Sequence, residues 1–161
     1  MIFQDLDRIV FAGDSITDMG SNKPVGEGLF NAWGRSYVAN VGSLLGCMYP
    51  ELQLRIVNMG ISGNQVRDLA ARWQNDVINL QPDWVSILIG INDVWRQFDE
   101  PAMYGESYSP EVYRKNIEAV CERTVGKVKK LFDISPFYMQ ASVKRELKNM
   151  DQSSHKLREL H

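Results

Sequence analysis

The chain has 161 residues, a formal net charge of −2, 44% hydrophobic and 24% charged residues, which is the make-up of one globular domain spanning residues 1–161. Its weak acidity gives no electrostatic case for nucleic acid or an anionic membrane as a partner, and a neutral or weakly charged small molecule fits better. No apolar run approaches the ~18 residues of a membrane span, the stretch from Met1 to Arg8 with its two acids does not read as a signal peptide, and Cys47 and Cys121 alone make neither a disulfide framework nor a zinc site.

These features predict a cytoplasmic protein whose two thiols are reduced and sit in the core. In chain order, the run Ile9-Val10-Phe11-Ala12 predicts a buried first strand ending at Gly13-Asp14-Ser15. The stretch from Gly20 to Trp33 reads as a long strand-to-helix loop, a kind that usually carries function. Tyr37, Val38, Val41, Leu44 and Leu45 recur at helical spacing, and Leu54-Arg55-Ile56-Val57 predicts a second strand before Asn58-Met59-Gly60-Ile61-Ser62-Gly63. Val66, Leu69, Ala70, Trp73, Val77 and Leu80 predict another helix, stopped by Pro82.

A third strand spans Trp84 to Ile89 and runs into Gly90-Ile91-Asn92-Asp93. Ser109-Pro110-Glu111 is a helix start, with Ser as cap and Pro in first position, ahead of a face made by Tyr113, Ile117, Val120, Cys121, Thr124 and Val128. A fourth strand is predicted across Leu131 to Tyr138, although Asp133 and Pro136 oppose it. Val143, Leu147, Met150, Leu157 and Leu160 then predict an amphipathic tail helix. Such alternation is the pattern of a mostly parallel sheet in an α/β protein.

Open sheets of this kind hold ligands at the carboxyl ends of their strands. Acyl transfer needs a nucleophile, a base and donors aimed at a developing oxyanion. Ser15 is the candidate nucleophile; its own N–H, the N–H of Gly63 and the side-chain amide of Asn92 are the candidate oxyanion donors, all at strand ends facing one crevice. Taken alone, Ser15 reads as a helix cap, because Ser15 and Asp18 have capping-box spacing. A glycine turn and an Asn at a strand end are equally common structural features. Their joint occurrence, in order, is what carries the chemistry. Ser62 is the runner-up nucleophile, but its surroundings lack the G-x-S-x-G elbow.

Gly13-Asp14-Ser15, the Gly63 block and Gly90-Ile91-Asn92-Asp93 resemble the first three blocks of the SGNH (GDSL-type) esterase and lipase superfamily. Through Phe11 to Asp18, Val57 to Asn64 and Gly90 to Gln97 the chain is similar to the bacterial acetylxylan esterase branch. The resemblance covers roughly residues 8 to 140 and implies a flavodoxin-like three-layer α/β/α sandwich that removes acetyl groups from sugar hydroxyls through an acyl-enzyme, without a metal or other cofactor. It makes Ser15 the nucleophile and Gly63 and Asn92 oxyanion donors. Trp95 and Arg96 would lie near the site, against sugar or a neighbouring subunit, though simple packing explains them as well.

The family's fourth block, Asp-x-x-His, has no counterpart here. The only histidines are His155 and His161, and Asp151-Gln152-Ser153-Ser154-His155 has one residue too many and sits in a helical stretch, where it reads as a solvated face. A fifth strand with its crossover needs ~30 more residues, so the expectation is a family member lacking the last strand and helix, with its activity in doubt. Two other readings stand beside acetyl-sugar hydrolysis: a lysophospholipase or thioesterase using the same Ser15, and an inactive domain that binds carbohydrate or partner chains, homo-oligomers included. Flavin binding lacks the phosphate loop expected after the first strand.

Overall fold

Alternation along the strands sets the layers of the molecule. The structure, a computed structural model, describes residues 2–99, 102 and 109–135. Strands β1 (Arg8–Gly13), β2 (Arg55–Gly60), β3 (Trp84–Leu88) and β4 (Lys130–Ile134) form a parallel sheet in the order β2-β1-β3-β4. Along β1, Val10 and Ala12 face one side with Val57 and Met59 of β2 and Val85 and Ile87 of β3. Ile9 and Phe11 face the other with Ile56 and Trp84. All-parallel pairing requires crossovers on both faces, and the helices α2 (Tyr37–Met48), α3 (Val66–Asp76) and α5 (Pro110–Thr124) supply them.

The first face is the larger core. Leu69 and Trp73 of α3 and Tyr113, Ile117 and Val120 of α5 pack there, and the buried Trp73 indole N–H donates to Thr124 Oγ1 at 2.9 Å, so the ring's one polar atom is satisfied. On the second face α2 contributes Val38, with Tyr37, Val41 and Leu45 packed against it. Two predicted core residues of this helix are not inside: Leu44 and Cys47 are exposed. Cys121 lies partly buried against the larger core, as predicted, and both thiols are free.

The predicted strands and helices that fall within the described residues are present, the helix Ile91–Asp99 after β3 was not predicted, and boundaries differ where polar motifs were taken for loops. β2 runs through Asn58-Met59-Gly60, three residues beyond the apolar run. It does so because Asn58, fully buried, satisfies itself: its Nδ2 donates to Thr17 O (2.6 Å) and Trp33 O (2.8 Å), and its Oδ1 accepts from Gly60 N (2.9 Å). α3 stops at Asp76 rather than near Leu80, and Ile78–Leu80 form a separate 3-10 turn before Pro82. Ser109 caps α5 by accepting from Val112 N at 3.3 Å. β4 ends at Ile134, before Ser135, short of the predicted end; residues 136–138 of the predicted fourth strand and the predicted tail helix lie outside the described residues. No described helix is long and apolar enough to cross a membrane.

Candidate active site

The chain leaves β1 at Gly13 and turns at once into the short helix α1 (Ser15–Asp18). Asp14, not Ser15, caps that helix: its Oδ1 accepts from Ile16 N at 2.9 Å. The capping role that spacing offered to Ser15 is therefore already filled. Among the described residues the Ser15 hydroxyl and the Ser15 N–H have no hydrogen-bond partner. Two glycines let α1 sit this low on the sheet. A Cβ on Gly13 would collide with Thr17 Oγ1 and Leu88 O, and one on Gly60 would collide with the Asp18 N–H group.

After Gly60 the chain makes a tight turn, closed by Asn64 N donating to Ile61 O at 3.1 Å. Gly63 stands third in it with φ +83°, the place where a type II turn demands positive φ. A Cβ there would meet open space, so the backbone conformation, rather than crowding inside the protein, calls for glycine. Among the described residues the Gly63 N–H also donates to nothing.

Asn92 lies in the first turn of α4 (Ile91–Asp99), just past Gly90 (φ +122°). Its Nδ2 donates to Asn64 O at 2.9 Å, which brings the third block against the second. Next to it Asp93 is buried and accepts from Val66 N at 3.1 and 3.3 Å, capping α3 from another element. Burial pushes the Asp93 carboxyl up to about 7 against the pull of that N–H. Burial likewise raises Asp14 to about 6.

Further bonds hold the turn against α1. Ile61 N donates to Gly13 O at 3.0 Å. Ser62 donates to Asp18 Oδ2 from both its hydroxyl (2.8 Å) and its N–H (3.2 Å). Asp18 Oδ1 accepts from Ser21 Oγ and Lys23 Nζ, each at 2.9 Å. Burial works to raise the Asp18 carboxyl, but the hydrogen bonds from Lys23, Ser62 and Ser21 outweigh it and hold it at about 2. So acidic a carboxyl is a poor base, and Ser62 is tied into a structural clamp. Sequence reasoning read Asp18 as a cap partner and assigned no role to Asp93, Asn64 or Arg72. Trp95 is exposed on α4, and His155 and His161 lie outside the described residues.

The model of the GDSL-like Lipase/Acylhydrolase family matches residues 11–160. The chain belongs to this family. An acetylxylan esterase from Geobacillus stearothermophilus is 48% identical to this GDSL-like hydrolase over 147 residues, 91% of the chain and 67% of that protein. A solved structure of Axe2, an acetylxylan esterase from the same organism, superposes with a TM-score of 0.85 at 44% identity, covering 99% of this chain and 74% of its own. LAE5, described as an alpha/beta hydrolase enzyme from the metagenome of Lake Arreo, Spain, gives a TM-score of 0.86 at 46% identity over the same shares. Structures of Axe2 include catalytic mutants in which a serine, an aspartate or a histidine is replaced by alanine. The family and the α/β architecture expected from the three blocks both hold, and the GDSL-like chain is a carboxylic ester hydrolase.

Proposed function

We propose that this hydrolase removes acetyl groups from sugar hydroxyls, of the acetylated xylan or xylo-oligosaccharide type, through an acyl-enzyme on Ser15. What supports the reading is one arrangement: a serine just past the end of β1 whose hydroxyl has no partner among the described residues, backbone N–H groups of Ser15 and Gly63 likewise without one, and hydrogen bonds that tie the Ser15, Gly63 and Asn92 blocks to one another. In the first half-reaction Ser15 Oγ adds to the acetyl carbonyl carbon, and the negative charge that develops on its oxygen is met by those donors. Collapse expels the sugar oxygen, which takes up the serine's proton. Water then adds to the acetyl-serine ester, and acetate leaves as Ser15 regains its proton. Similarity to acetylxylan esterases supports the sugar ester as substrate.

The test joins labelling with turnover. A fluorophosphonate is expected to modify Ser15, and Ser15→Ala to abolish acetate release from acetylated xylo-oligosaccharide. Labelling at Ser62, or unchanged turnover in Ser15→Ala, overturns the assignment. A clear preference for a long-chain nitrophenyl ester moves the substrate to a lipid.

A further inference from the structure

Arg72 projects from α3 beneath the two strand ends that carry the site, and its side chain is only 14% exposed. Its guanidinium spends donors on both strands at once: Nη2 to Gly13 O at the end of β1 (3.1 Å) and Nη1 to Met59 O near the end of β2 (2.9 Å). Nε donates to Asn64 Oδ1 (2.7 Å), inside the turn that contains Gly63 and beside the carbonyl that receives the Asn92 amide. A salt bridge from Nη1 to Asp76 Oδ2 (3.0 Å), one turn along α3, steadies the fork from behind. Gly13 and Gly60 are register partners, so the two carbonyls belong to adjacent rungs of one ladder.

We infer that Arg72 is a positioning residue for the reaction: it fixes the spacing between the strand end that presents Ser15 and the turn that presents Gly63, and so the geometry of the oxyanion donors. The inference rests on Ser15 being the nucleophile. A planar fork is required, because three acceptors on two strands and a turn lie in different directions and a lysine ammonium offers a single point charge. Misplacing donors by a fraction of an ångström weakens transition-state stabilisation while leaving ground-state binding almost unchanged.

The experiment measures fluorophosphonate inactivation at Ser15, resolved into kinact and KI, together with amide hydrogen exchange at Ile61, Ser62 and Asn64, in the parent chain, Arg72→Lys, Asn64→Ala and Asp76→Asn. Arg72→Lys is expected to speed exchange at those three amides about tenfold or more and to lower kinact roughly 10- to 100-fold, with KI within about threefold. Amides inside β1 and β3 should keep their protection. Asn64→Ala and Asp76→Asn, which each remove one partner of the fork, should shift the same readouts in the same direction by less. Unaltered turn amides, or an unaltered kinact, in Arg72→Lys overturns the positioning role. Loosening of β1 and β3 together with the turn overturns it too, since the loss is then one of global stability. Labelling of the parent at Ser62 overturns the Ser15 reading and this inference with it, while the exchange data still report whether the clamp exists.

Discussion

The Asn92 side chain joins a structural bond to a proposed chemical task, and one substitution removes both. Asn92→Ala removes the bond to Asn64 O as well as the proposed oxyanion donor, and loss of one such donor lowers kcat by about 10²–10³ with little change in KM. Steady-state kinetics on acetylated xylo-oligosaccharide checks this; a rise in KM at constant kcat would make Asn92 a substrate-binding group instead. Gly63→Ala forces an L side chain to φ +83°, at a cost of about 1–2 kcal/mol. Its melting temperature should fall and its kcat with it, although the added methyl has room. Ser15, Gly63 and Asn92 could be singled out as candidates because each stands in a polar block that follows an apolar run, a pattern that survives in one dimension. Arg72 was not, since it lies off the apolar spacing of α3 and its bonds to the two strands go to backbone carbonyls, which leave no trace in side-chain identity. Asp18 was misread because the same three-residue spacing serves a capping box, and the competing cap, Asp14, stands one residue earlier.

At the level of elements, the seating of α1 on the ends of β1 and β2 depends on absent side chains. Gly60→Ala would drive a methyl into the backbone of Asp18, where no flexible side chain can yield. Overpacking of this kind costs about 1–3 kcal/mol. Thermal unfolding of Gly60→Ala should show that loss, accompanied by faster exchange at Ser62 as its bond to Asp18 lengthens; an unchanged melting temperature would mean that α1 moves freely. Element types followed from periodicity, whereas ends did not. The length of β2 is decided by Asn58, two of whose three hydrogen bonds go to residues far away in sequence, Thr17 and Trp33. The end of α3 is decided by Val77, which is fully buried yet lies outside the helix and so imitates one more helical position. Leu44 and Cys47 fit the apolar stripe of α2 but face solvent, because on that face of the sheet α2 meets only a small cluster around Ile9, Phe11, Ile56 and Trp84.

For the molecule as a whole, buried carboxyls of opposite behaviour set the pH range of stability. Asp93 and Asp14 ionise at about 7 and about 6 in the folded chain against an ordinary 3.8, so between these values the native state holds more protons and stability falls as pH rises. Asp18, held at about 2, stabilises above its ordinary value and loses that contribution as pH falls toward 2. Melting temperature should therefore peak at about pH 3–4, with Asp93→Asn flattening the neutral limb and Asp18→Asn the acid one. Equal slopes in the parent and Asp93→Asn would remove Asp93 from the account. The order β2-β1-β3-β4 carries a further consequence, for biosynthesis. The first strand made is an inner strand of the finished sheet, and it must wait for both neighbours. At 5–20 residues per second, about 4–15 s pass between synthesis of Ser15 and of Asn92. Throughout that interval Ile9-Val10-Phe11-Ala12 keeps at least one edge unpaired, since β2 is made first and β3 last, so nascent chains should be captured by holdases until β3 arrives, and refolding yield from denaturant should fall as protein concentration rises.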